Sequence, residues 1–195
     1  MQDVEEQVIA TVREGHVVRD SLLSESVLCG WRQNGTVLRV EVRGGSMLPL
    51  IPDKATLTLT CVAPESVRTG DIIVFRHAGG LIAHRVLKVT RDHGKVLFLE
   101  KGDSSMSAGM VSGCDLVGVV EEIEWDQGKR YIGGRSGRFL NTIVGRCEFL
   151  LYFLHSRGMS LKQEIAGAHP LPYVSPIVEK SIQKLARILP RVFYR

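Results

Sequence analysis

The sequence predicts a mainly β protein: a core of antiparallel strands, a short helix before it and a helical tail after it. Three observations carry this. Apolar and polar residues alternate with period two through the middle of the chain. Gly, Pro, Asp and Ser punctuate that middle at close spacing. After residue 128 the apolar period becomes helical, with Leu140, Ile143, Val144, Cys147, Leu150, Leu151 and Leu154 on one broad face.

Taken in order, residues 3–13 read as a helix. Asp3 and Glu6 have capping-box spacing, and Val4, Val8, Ile9 and Val12 share a face. Residues 17–28 are apolar and fit either element. Leu38, Val40 and Val42 then alternate with Arg39, Glu41 and Arg43, which describes a half-buried strand. Leu57, Leu59 and Cys61 alternate with Thr58 and Thr60 in the same way. Further strands are expected over 71–76, 81–90, 95–100 and 116–124, closing into a barrel or a sandwich. Three segments follow: an N-terminal helical segment over 1–35, a β core over 36–127 and a basic, mostly helical extension over 128–195. Residues 167–176 read as a linker. The last stretch reads as an amphipathic helix that Pro190 bends or ends.

Composition narrows the function classes. The chain has 195 residues, 44% of them apolar and 24% charged, so disordered, collagenous and coiled-coil readings fall away. A chain of this size buries about 70% of its unfolded surface and folds without staples. Cys29, Cys61, Cys114 and Cys147 are scattered, with no metal-ligand spacing, so neither metal nor cofactor is expected. They read as reduced, mostly buried thiols in a reducing compartment. The start of the chain is acidic where a signal peptide is basic. No apolar run reaches the ~18 residues of a spanning helix.

The net charge of +4 hides a split: +9 over residues 128–195 and −5 over 1–127. Lys180, Lys184, Arg187 and Arg191 line one face of the terminal helix, with Ile182, Leu185, Ile188 and Leu189 on the rest. Such a helix packs on its own domain or lies on an anionic surface. Residues 176–195 are therefore the expected peripheral membrane contact of a cytoplasmic protein, at the inner membrane surface. Nucleic acid is not an expected partner, because the core carries no basic–aromatic stacking pattern.

One segment carries chemistry: Gly44-Gly-Ser-Met-Leu-Pro-Leu-Ile-Pro-Asp53. Two glycines before Ser46 let backbone approach a bound carbonyl, since no Cβ intervenes. Alone, Gly-Gly-Ser is a common turn. The segments that follow it are Gly70-Asp-Ile-Ile-Val-Phe75, then His84-Arg-Val86, then Lys101-Gly-Asp103. A serine hydroxyl needs an adjacent base, and a free imidazole, with its pKa of about 6.5, suits that task. A strand histidine hydrogen-bonded to backbone is the plain alternative for His84 taken alone.

This ordered set, over residues 42–120, resembles the signal peptidase I family and the wider S24/S26 clan that it shares with SOS-repressor self-cleaving domains. With His84 where other members carry lysine, it is similar to the serine–histidine branch of archaeal and endoplasmic-reticulum signal peptidases. The resemblance implies a serine endopeptidase that removes a leader or signal segment from a peptide or protein precursor. Ser46 is its expected nucleophile, His84 its base and Asp103 its orienting third member. The Ser46 N–H and one from Gly44 or Gly45 are the candidate oxyanion donors, and Gly45, Met47 and Leu48 the expected substrate contacts, although Met47 and Leu48 fit the core equally well. Asp71 reads as a turn former, and Asp53 keeps an aspartate of the family pattern without its glycine. The chain departs from the branch in one respect: after Asp103 no carboxylate follows until Asp115. That leaves three outcomes: Asp103 on His84, a bare dyad, or weakened activity. Two other readings share the fold. An idle peptide-binding module is one. A self-cleaving regulatory domain, cut at Cys29-Gly30, is the other, although that bond lies only 17 residues before Ser46.

Overall fold

A computed structural model describes residues 9–11, 24–77, 80–105 and 107–166. The terminal helix and the linker read from the sequence lie outside them. Alternation of the T-L-T-L-T kind produces strands because it gives a sheet one apolar and one polar face. Strand β2 (Val37–Glu41) pairs antiparallel with β3 (Thr56–Thr60), placing Leu38 opposite Leu59 and Val40 opposite Leu57. All four side chains are buried. Burying each contributes about 1.5–3 kcal/mol relative to exposure, so a one-residue slip of register is strongly opposed.

Seven further strands complete one sheet among the described residues: β1 (Ile9–Thr11), β4 (Ile72–His77), β5 (Gly80–Asp92), β6 (Lys95–Lys101), β7 (Ala108–Ser112), β8 (Leu116–Trp125) and β9 (Gly128–Tyr131). Their order is β1-β2-β3-β8-β4-β5-β6-β7, with β9 also on β8. All pairs are antiparallel except β1 with β2. Strand β8 joins the two halves, pairing with β3 at one end and β4 at the other, so the sheet curls around its core.

Among the described residues, two α-helices flank it. Helix α1 (Glu25–Asn34) begins at Ser24, whose hydroxyl accepts the Val27 N–H, and ends at Gly35 in the left-handed region. Helix α2 spans Gly134–Ala166. It approaches the core through glycine: a Cβ on Gly145 would lie 2.5 Å from the Gly70 Cα. The short N-terminal helix therefore stands at Glu25–Asn34. Of the helix expected over 3–13, residues 9–11 are instead strand β1, because pairing with β2 supplies their backbone partners. The rest of that stretch is outside the described residues. Strands β7 and β9 are additions to the expected set.

Candidate active site

The segment between β2 and β3 is shaped from below. Met47, Leu50 and Ile51 are buried in the core with Leu57 and Leu59. The Leu50 and Ile51 N–H groups both donate to the Met47 carbonyl. At its mouth the Gly44 N–H donates to Asp53 Oδ1 at 2.8 Å, and Gly44 takes φ 113°, a conformation that favours glycine. The result is a pinned loop with Ser46 half-buried at its top and Leu48 exposed beside it.

The facing side comes from β5 and β6. Arg85 stands opposite Lys101 and Val86 opposite Glu100. Opposite residues share a face and neighbours along a strand alternate. His84, Val86 and Glu100 therefore point to one side, and Arg85 and Lys101 to the other. On the first side, His84 Nδ1 and Glu100 Oε2 meet in a short hydrogen-bonded contact. Phe75 packs edge-on against the imidazole, with ring centroids 6.1 Å apart. Glu100 fits because its partner in β7 is Gly109: a Cβ there would lie 2.2 Å from Glu100 Oε1.

The turn after β6 joins the two halves of the site. A Cβ built on Gly102 would sit 3.1 Å from His84 Nε2, 3.1 Å from Ser46 Cβ and 2.6 Å from the Ser46 carbonyl oxygen. His84 Nε2 and Ser46 Cβ thus both border the space that glycine leaves empty. The Ser104 N–H donates to the Ser46 carbonyl at 2.9 Å. The Ser104 hydroxyl lies 2.6 Å from the Gly45 carbonyl and 2.9 Å from that of Ser46.

Three expectations change. Asp103 does not turn to His84. Its two oxygens take Nε and Nη2 of Arg85, each at 2.8 Å, in a buried bidentate pair. The carboxylate at His84 is Glu100, three residues earlier. The Gly44 N–H is engaged by Asp53, which removes it from the expected oxyanion donors. Met47 is a core anchor, so of the expected substrate contacts only Gly45 and Leu48 stay near the surface beside Ser46. Glu100 is legible by counting: across the β5–β6 hairpin it takes the parity of His84, whereas Asp103 lies beyond β6, in the turn that follows.

Other groups fall into the scaffold. Asp71 closes a turn by accepting the Arg68 N–H at 2.9 Å. Burial raises its carboxyl above the ordinary range, while that hydrogen bond and nearby arginines pull the other way. Burial pushes the Cys61 thiol up to about 11, against the pull of Arg32. Cys29 and Cys114 are exposed and Cys147 is half-buried, so the expectation of mostly buried thiols holds for Cys61 alone. Among the described residues, no group of three or more His, Cys, Asp or Glu side chains is placed to hold a metal. No described helix is long and apolar enough to cross a membrane.

Comparison with known proteins bears on what this arrangement is for. The family model described as Peptidase S24-like matches residues 8–120, more than half of the chain. The signal peptidase complex catalytic subunit SEC11C of Homo sapiens is 41% identical over 69 residues, which is 34% of this chain and 36% of that protein. The same subunit from Mus musculus and from Canis lupus familiaris gives the same figures. The chain thus covers about a third of the length of the curated relatives that it matches. No solved structure matches it.

Proposed function

The chain belongs to the peptidase S24-like family, and on that premise we propose that it is a serine endopeptidase acting on a peptide or protein precursor. Ser46 is the nucleophile and His84 the general base. Glu100 holds the imidazole so that Nδ1 carries its proton and the Nε2 lone pair faces Ser46. His84 takes the Ser46 hydroxyl proton as Oγ attacks the scissile carbonyl, then delivers it to the leaving amine. The N–H groups of Ser46 and Gly45 are the proposed oxyanion donors. Leu48 lines the subsite for a small side chain.

The observation that carries this reading is the gap at Gly102, bordered at once by Ser46 Cβ and by a His84 Nε2 whose opposite nitrogen meets Glu100. An idle binding module is favoured by the lack of a carboxylate soon after Asp103, and Glu100 offers His84 one from upstream instead. The substrate class follows from the matched relatives, whose names describe signal peptidase catalytic subunits. A cytoplasmic location, with residues 176–195 resting on the inner membrane surface, is the accompanying proposal.

The test is cleavage of a mixed library of leader-like peptides with Ala-x-Ala ends, read by mass spectrometry. Wild type is expected to cut a subset of the library, and Ser46→Ala to cut none while unfolding at the same temperature. Equal cleavage by the two proteins, or peptide binding by both without any cleavage, would overturn the proposal.

A further inference from the structure

Helix α2 lies beyond the family-matched residues, yet it sends one buried carboxylate toward the site. Glu148 Oε2 stands 2.9 Å from Lys101 Nζ, with the two side chains 1% and 4% exposed. Burial raises the Glu148 carboxyl, and the adjacent ammonium opposes that shift. A buried ion pair of this kind is weak evidence for stability, since apolar residues of similar volume often do as well or better. Its position at the end of β6, beside the site, points to another account.

Lys101 supplies one. Its ammonium also donates to the carbonyl of Gly102 at 3.0 Å and to that of Ser105 at 2.7 Å. One cation therefore ties the two ends of the turn 102–105, and the Ser105 N–H closes the turn onto Gly102. Inside that turn Ser104 holds the Ser46 carbonyl, and Gly102 borders both Ser46 and His84 Nε2. Asp103 anchors its far side on Arg85, which also donates to the Gly70 carbonyl, where α2 packs.

We infer that Glu148 is a positioning residue: through Lys101 it fixes the turn that holds Ser46 against His84, so that α2 is part of the peptidase site. The inference rests on the function proposed above. Glu148 acts by charge, drawing the ammonium to where it reaches both carbonyls. A role in packing alone needs only volume.

The experiment compares wild type, Glu148→Gln and the double variant Lys101→Met/Glu148→Leu. The last replaces the pair with apolar bulk and is expected to keep the fold. Hydrogen exchange of the amides at 102–105 and 46–48 is expected to accelerate roughly 10- to 100-fold in both variants, with β3 and β8 unchanged. Turn exchange equal to wild type in the double variant would overturn the inference. So would a uniform acceleration across the sheet. A second readout is the rate of Ser46 labelling by a fluorophosphonate probe. Wild type labelled at Ser46 and the double variant labelled at least tenfold more slowly supports the inference. Equal rates overturn it, even if exchange has changed. Loosened exchange with no labelling of wild type leaves the clamp standing and counts instead against the proposed nucleophile.

Discussion

His84 and Arg85 are neighbours on β5, and each meets a carboxylate from the same short stretch, Glu100 or Asp103. On the function proposed above, the two pairs do different work. His84 and Glu100 are 19% and 10% exposed; Arg85 and Asp103 are 0% and 1%. The guanidinium keeps its proton at any pH that the protein meets, and its planar fork matches Asp103 bidentately. That pair can hold geometry but cannot move a proton. Imidazole can, and Glu100 meets its Nδ1, while Nε2 borders the gap at Gly102 that Ser46 Cβ also borders. The difference shows that a cation–carboxylate pair beside a candidate nucleophile is no sign of catalysis by itself. What separates site from scaffold is whether one nitrogen remains open to a reacting atom.

The largest expected effect breaks the pair on the site face. Glu100→Gln keeps the shape and can still hydrogen-bond Nδ1, but it favours the wrong imidazole tautomer. Loss of the charge is expected to lower turnover about 10⁴-fold, as for the orienting carboxylate of a triad. The unfolding midpoint should barely move. Single-turnover cleavage and thermal unfolding on the same preparation check this. A loss below tenfold would remove Glu100 from the mechanism.

The matching change on the other face acts on stability. Asp103→Ala removes the bidentate carboxylate partner of the buried Arg85 guanidinium, which keeps its bond to the Gly70 carbonyl. Breaking a buried ion pair by removing one partner costs about 3–5 kcal/mol, which denaturant unfolding measures directly. Activity per folded molecule is expected to fall far less than in Glu100→Gln. If Asp103→Ala instead abolished turnover at unchanged stability, Asp103 would return to the role first expected of it.

The sequence made much of the β core legible. Alternation at Leu38–Val42 and Leu57–Cys61 and the turn residues between strands place β2, β3, β4, β5, β6 and β8 within a few residues. Strand β9 and residues 9–11 were not legible, because their pairing partners in β8 and β2 decide their conformation, and no local pattern does. Ser46 and His84 were legible as candidates through chemistry and order. The carboxylate at His84 was not, for a geometric reason. The family pattern points downstream of Asp103, while strand parity puts residue 100 on the His84 face and the turn after β6 carries Asp103 to Arg85. Glu148 could not be found from sequence, because only the packing of α2 brings residue 148 to residue 101.

The finest test of the comparison changes neither carboxylate. Gly109 faces Glu100 across β6 and β7, and a Cβ there would fall 2.2 Å from Oε1. The clash is with the far end of a flexible side chain, so Gly109→Ala is expected to cost little stability: the carboxylate swings aside and the backbone stays. The swing takes Glu100 off Nδ1. A misplacement of about 1 Å at a reacting group can cost about 10²-fold in rate, so a loss of about 10- to 100-fold is expected, smaller than in Glu100→Gln. The Arg85–Asp103 pair lies on the opposite face and should be untouched. Combining the two changes discriminates further. If Gly109→Ala acts only through Glu100, adding it to Glu100→Gln should lower turnover no further. Additive losses would show that the glycine serves the site by some other route, and would loosen the link between the Glu100 contact and catalysis.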